Sequence, residues 1–215
     1  MKNKYIKLFM LLTTVLLLSG CVHVNRDSIE TITNYIVDNN IHSYNYNSRG
    51  YKMYIPRGLS VTYSSNLNKV IKSQAYDYYL YVDLVSYFNK ENLEYKKEDN
   101  IYYSEYIKDN QGVINVSKKD NNYLVVVQYN YAKVETMVKE KDIKIAISNS
   151  LIMLSSIQYN EQVIKAMLDE GVLSLNERPV EVFKTKDSAG QNELIEIEDS
   201  EYIEEDNEKD RDYIN

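Results

Sequence analysis

The chain opens on a positive stretch holding Lys2, Lys4 and Lys7, and an apolar run of eleven residues follows over 8–18. A membrane-spanning helix needs about 20 apolar residues, so the run suits the core of a secretory signal peptide rather than a permanent span. Beyond it the pattern breaks into short amphipathic segments. Asp27-Ser28-Ile29-Glu30 has the form of a capping box, with Asp27 as N-cap and Glu30 three residues on. Ile29, Ile32 and Ile36 follow at helical spacing, which predicts a helix over 28–39. The polar stretch 42–50 predicts a loop. Residues 51–55 alternate and end at Pro56-Arg57-Gly58, a strand running into a turn, with a second short strand over 59–63.

The strongest strand pattern covers 75–88. Tyr78, Leu80, Val82, Leu84 and Ser86 lie on one face, and Tyr79, Tyr81, Asp83, Val85 and Tyr87 on the other. Both faces are largely apolar or aromatic, which predicts a central strand covered on both sides. A strand over 101–107 and the turn Asp109-Asn110-Gln111-Gly112 come next. A hairpin follows, with arms 113–117 and 123–134. Tyr123, Val125, Val127, Tyr129 and Tyr131 share one face of its second arm. Over 141–154, Ile143, Ala146, Ile147, Ser150, Leu151 and Leu154 form a stripe at the 3.6-residue period of a helix. A second helix is predicted over 161–170, with Asn160 as N-cap and Gly171 at its C-terminal cap. Residues 180–183 suggest a last edge strand.

A run of hairpin-joined strands followed by helices predicts an α+β domain, an antiparallel sheet flanked by helices. In layout, residues 51–159 resemble the PsbP-like fold family, in which hairpin-rich strands end in a strand leading into a long amphipathic helix, here the strand and helix together over 123–154. The resemblance carries no diagnostic motif and hence no functional residue. It implies a non-catalytic binding or assembly module.

The apolar run ends in Leu18-Ser19-Gly20-Cys21. This resembles the lipobox of bacterial lipoproteins, in which a small pair precedes an obligatory Cys. The resemblance implies a diacylglyceryl group on the sulfur of Cys21 and cleavage between Gly20 and Cys21. Small residues at 19 and 20 let a peptidase approach the backbone closely. Two acyl chains, at roughly 0.8 kcal/mol per buried CH₂, hold a protein stably where one chain does not. The expected location is the extracytoplasmic face of the cell membrane, and the membrane is the first partner.

Charge then divides the chain. The net charge is −7, yet residues 21–186 hold 20 basic and 20 acidic side chains. Residues 187–215 hold 12 acidic and 2 basic side chains, a net of −10. Such a block repels itself and has few apolar groups to bury, which predicts a disordered acidic tail. The expected organisation is therefore a signal peptide over 1–20, a lipidated tether over 21–27, an α+β domain over 28–186 and a tail over 187–215. A chain without a basic face is not expected to bind nucleic acid.

Candidate chemistry is sparse. One Cys and two His exclude a Cys-cluster or three-His metal site within the chain, and no metal or other cofactor is expected. His23 falls in the tether and His42 in a polar loop. Mid-strand Asp83, flanked by Tyr79 and Tyr81, is the candidate ligand-binding acid, because a buried carboxylate needs a partner. Asp77 lies six residues away, roughly 20 Å along a strand, too far for a paired-carboxylate site. There are 22 Tyr against 3 Phe and no Trp, enough amphipathic rings to line a saccharide or peptide groove. Tyr44, Tyr46, Tyr51, Tyr102, Tyr103 and Tyr106 are the candidates for exposure. These features favour a non-catalytic envelope module that meets an envelope protein or glycan. The rivals are a small-solute carrier with a Tyr-lined pocket and an enzyme acting on the envelope.

Overall fold

The computed structural model describes Val24, residues 26–39 and residues 43–173. Cys21, His23, His42, the strand suggested over 180–183 and the acidic tail lie outside the described residues.

Helix α1 spans Ile29–Asp38. Its N-cap is Ser28 rather than Asp27: the Thr31 amide donates to Ser28 Oγ at 3.1 Å. The carbonyl of Asp27 instead accepts from Lys144 Nζ at 2.6 Å. A small three-stranded sheet is built from β1 (Tyr46–Ser48), β2 (Tyr51–Met53) and β10 (Gln158–Tyr159), in the order β1-β2-β10. The main sheet has seven strands, all antiparallel: β3 (Ser60–Ser64), β4 (Asn68–Lys72), β5 (Asp77–Val82), β6 (Tyr103–Ile107), β7 (Gly112–Lys119), β8 (Asn122–Tyr129) and β9 (Ala132–Val138). Their order is β3-β4-β5-β9-β8-β7-β6. The expected α+β architecture is therefore present.

The long apolar stretches hide two breaks. Residues 75–88 are not one strand. β5 ends at Val82, and Leu84–Phe88 form a short helix, α2, capped by Asp83. Nor is β5 covered on both faces: Tyr78, Leu80 and Val82 are buried, while Asp77, Tyr79 and Tyr81 are only half-buried. The arm 123–134 splits in the same way. Asn130 and Tyr131 both adopt positive φ, 52° and 55°, the pattern of a two-residue I′ hairpin turn between β8 and β9. Tyr131 therefore leaves the face it was expected to share.

A 3₁₀ turn over Glu140–Asp142 leads into α3, Ile143–Ser156. The whole expected stripe of α3 is buried, along with Ser148, Met153, Ser155 and Ser156. A helix buried this far round needs cover on more than one side. The main sheet supplies one side, where Asn149 Nδ2 donates to the hydroxyl of Tyr78 at 3.2 Å. Helix α1 and β2 supply others. The buried serines answer their own polarity by back-bonding: Ser148 Oγ donates to the Lys144 carbonyl at 2.7 Å and Ser150 Oγ to Ala146 at 2.9 Å. Helix α4, Glu161–Asp169, is capped as expected by Asn160, whose Oδ1 accepts from the Val163 amide at 3.2 Å, and Gly171 follows it at φ 70°. It packs on α2. Among the described residues no helix is long and apolar enough to cross a membrane.

Candidate functional site: a tyrosine-lined cleft on the outer sheet face

The main sheet has two faces of different character. Along its inner face β5, β9, β8 and β7 present Leu80, Val134, Val127 and Ile114 in register, all buried. Among the described residues no helix covers the outer face. The segment 89–102 leaves α2 and crosses it instead.

Asn115 of β7 fastens that crossing. It is 7% exposed. Its Nδ2 donates to the Lys96 carbonyl at 3.2 Å, and its Oδ1 accepts from Ser104 Oγ at 2.6 Å and the Glu98 amide at 3.4 Å. A single side chain thus answers the backbone of a segment that has no ladder of its own. At the other end of the crossing, the Tyr131 hydroxyl donates to the Glu91 carbonyl at 3.1 Å.

Between segment and sheet lies a cleft of about 270 Å³. Tyr81, Tyr95 and Tyr131 line it together with Gln128, Lys133 and Glu94, and Asp83, Leu93 and Ala132 complete its wall. A wider depression of about 680 Å³ beside it shares Leu93, Glu94, Tyr95 and Tyr131. Burial raises the phenol of Tyr95, with the charge of Asp83 adding to the same direction, so the hydroxyl stays a neutral donor and acceptor. Lys133 is matched by Glu135 at 2.8 Å, the two side chains 17% and 11% exposed. The pair brings no net charge to the cleft. Aromatic faces, phenol hydroxyls, an amide and the carboxylates of Asp83 and Glu94 suit a polyhydroxylated ligand that carries no negative charge.

The tyrosines behind the cleft are structural. Tyr87 stacks on Tyr159 at 3.8 Å between centroids and meets Tyr131 edge-on at 5.5 Å. The Tyr159 hydroxyl donates to the Asn130 carbonyl at 2.5 Å, and Asn130 Nδ2 donates to the carbonyls of Leu154 and Ile157 at the end of α3. The β8–β9 turn that presents Tyr131 is thus tied to the helix beneath it. Burial holds the Tyr159 phenol well above its ordinary value and pushes Tyr51 up as well. An unfolded tyrosine ionises near pH 10, so the stability held by these neutral phenols is complete below about pH 10 and lost as pH rises beyond it. Urea midpoints are expected to stay flat to about pH 9 and to fall steeply above 10, with a shallower fall in Tyr159→Phe. A wild-type curve flat to pH 11 would contradict this.

The sequence candidates land in different places. Asp83 and Tyr81 both line the cleft. Tyr79 stands two residues before Tyr81 on the same face, roughly 7 Å along the strand, outside the cleft lining. Asp83 is not a buried mid-strand acid. Its Oδ1 accepts from the Ser86 amide at 2.9 Å, and its Oδ2 lies 2.8 Å from Ser86 Oγ. The same hydroxyl is 2.9 Å from Glu91 Oε2, so its one proton serves two carboxylates. Asp83→Ala is expected to cost about 1 kcal/mol, and Asp83→Asn far less, because Asn caps helices equally well. Equal losses in a urea titration of the two variants would show that charge, not capping, is what Asp83 supplies. Of the tyrosines singled out for exposure, Tyr44 and Tyr102 are exposed, Tyr46, Tyr103 and Tyr106 are half-buried, and Tyr51 is buried at 3%.

Tyr95, Tyr131, Gln128, Lys133 and Glu94 escape the sequence reading. Two of them ride on the irregular crossing, which has no period to detect. Tyr131 sits in a turn whose only local mark is Asn130. Among the described residues there is no group of three or more His, Cys, Asp or Glu placed to hold a metal ion. Compared with family models, curated proteins and solved structures, the chain matches none.

Proposed function

We propose that this chain is a bacterial envelope lipoprotein, anchored through Cys21, whose α+β domain is a non-catalytic binding or assembly module. The observation that carries the reading is the N-terminal order: Lys2, Lys4 and Lys7, the apolar run 8–18, and Leu18-Ser19-Gly20-Cys21 with the chain's one cysteine at its end. The commitment of Asp83 to capping Ser86 supports the non-catalytic part, because general acid–base work needs a carboxyl aimed at substrate. Mass analysis of the N-terminal peptide from the membrane fraction tests the anchor. The expected species starts at Cys21 and carries a diacylglyceryl mass. An unmodified thiol in a membrane-released chain is the opposing result.

The cleft favours a second reading, a carrier for a neutral saccharide or similar solute held by Tyr81, Tyr95 and Tyr131. Binding of neutral oligosaccharides, measured by calorimetry, is expected to weaken about tenfold or more in Tyr131→Ala, since a stacked aromatic contact contributes on the order of 1–2 kcal/mol. Because Tyr131 also anchors Glu91, Tyr81→Ala serves as the companion variant. Undiminished binding in both would rule out the cleft.

A further inference from the structure

Where the tether joins the domain decides which end of the domain meets the membrane. The Asp27 carbonyl is held by Lys144 in the first turn of α3, so the chain enters beside the corner between β9 and α3. The far end of α1 lies at the opposite end, where Asp38 pairs with Lys108 of the β6–β7 turn at 2.9 Å. Six residue steps separate Cys21 from Asp27, a reach of at most about 20 Å.

The entry corner is rich in cations. Lys118, near the end of β7, and Lys139 and Lys141, after β9, rim a shallow depression of about 720 Å³ and are exposed. Among the described residues no carboxylate lies within ion-pair distance of any of the three. Lys119 adjoins them in the hairpin, and Arg26 precedes α1. Asp120 and Glu140 share the rim with the three lysines, and the acids of this end are held away from them by other partners only in part. Asp142 accepts from the Tyr76 hydroxyl at 2.6 Å, Glu140 faces the Tyr102 hydroxyl at 3.4 Å, and Asp77 pairs with Lys72 at 3.9 Å, leaving Asp120 in the turn. Tyr102, 51% exposed and edge-on to Tyr123 at 4.7 Å, adds an amphipathic ring of the kind favoured at a membrane interface.

We propose that this end of the domain faces the bilayer, with Lys118, Lys139 and Lys141 against the phosphate groups of anionic phospholipid. The proposal rests on the anchored reading: the tether holds the corner near the surface, and the unpaired ammonium groups turn it inward. Attraction of this kind falls off within a Debye length, about 8 Å at physiological salt, so a short tether is what makes it effective.

The acylated full-length protein in vesicles tests this through the rate at which a water-soluble amine reagent labels each lysine. On phosphatidylcholine vesicles containing phosphatidylglycerol, Lys118, Lys139 and Lys141 are expected to label about fivefold more slowly than on phosphatidylcholine alone, with the difference erased by high salt. Lys108 and Lys165, remote from the corner, are expected to label alike on both. Equal rates for the three lysines on the two membranes, with the acyl mass present on Cys21, overturn the orientation and leave the anchor standing. Slow labelling on both membranes that is relieved by truncation after Lys186 assigns the patch to the chain's own acidic tail and overturns it too. Absence of the acyl mass removes both readings together.

Discussion

A Cys21→Ser chain is expected to lose acyl labelling completely and to leave the membrane fraction or accumulate with its leader uncut. The reasoning is chemical. Thioether formation needs a sulfur nucleophile, and Cys21 holds the chain's one sulfhydryl. Serine keeps the size of the residue and removes that reactivity. Two acyl chains contribute stable partition at roughly 0.8 kcal/mol per buried CH₂, whereas the remaining tether has little apolar surface to insert. Labelled palmitate incorporation and fractionation read the two parts separately. Intact labelling with unchanged partition in Cys21→Ser would overturn the lipoprotein reading. Lost labelling with retained partition would mean that 8–18 remains as an uncleaved anchor.

Gly112→Ala is expected to be among the most destabilising small substitutions in the domain. In the sequence Gly112 reads as the closing residue of a turn, where glycine would serve backbone freedom. In the structure the positive φ angles belong to Lys108, Asp109 and Asn110, and Gly112 is the first residue of β7. It is glycine for a different reason. A Cβ there would stand 2.4 Å from the Gln128 carbonyl oxygen, 3.0 Å from the Tyr129 ring and 3.2 Å from Ile107. The oxygen belongs to the β8 backbone and cannot move without opening a strand paired on both sides. Overpacking against backbone costs about 3 kcal/mol, a large share of a total stability of 5–15 kcal/mol. Gly171→Ala is the contrast: its φ is 70°, nothing lies within 4 Å of the added methyl, and the expected loss is about 1 kcal/mol. Urea unfolding of the two variants should rank them in that order. Equal midpoints would mean that β7 and β8 accommodate the methyl by shifting register.

How much could be read in advance follows the range of the forces involved. Helices α3 and α4 are legible because their signals are local: a 3.6-residue stripe from Ile143 to Leu154, and Asn160, whose side chain accepts from the amide three residues on. The strand content is legible as alternation. The stops inside apolar runs are not. Leu84 to Phe88 has the composition of a strand and becomes a helix, because Asp83 caps it locally and its Leu84 side chain is buried in the core. Asn130 and Tyr131 turn the chain within a run that alternates on both sides. Tyrosine tolerates the left-handed conformation there because neighbouring contacts hold it, Tyr87 edge-on and Asn130 bonded to α3.

By itself the sequence determined the concentration of acid in 187–215, the α+β class and the caps of the C-terminal helix. Each depends on residues adjacent in the chain or repeating at one period. Only the tertiary structure decided that 89–102 would cross the outer face of the sheet, that Asn115 would fasten it, and that Tyr81, Tyr95 and Tyr131 would converge on one cleft. Those three tyrosines come from a strand, an irregular crossing and a hairpin turn, and their proximity depends on antiparallel register across β5, β9 and β8. Register is set by which face of every strand is buried at once, a condition of the whole core rather than of any one segment.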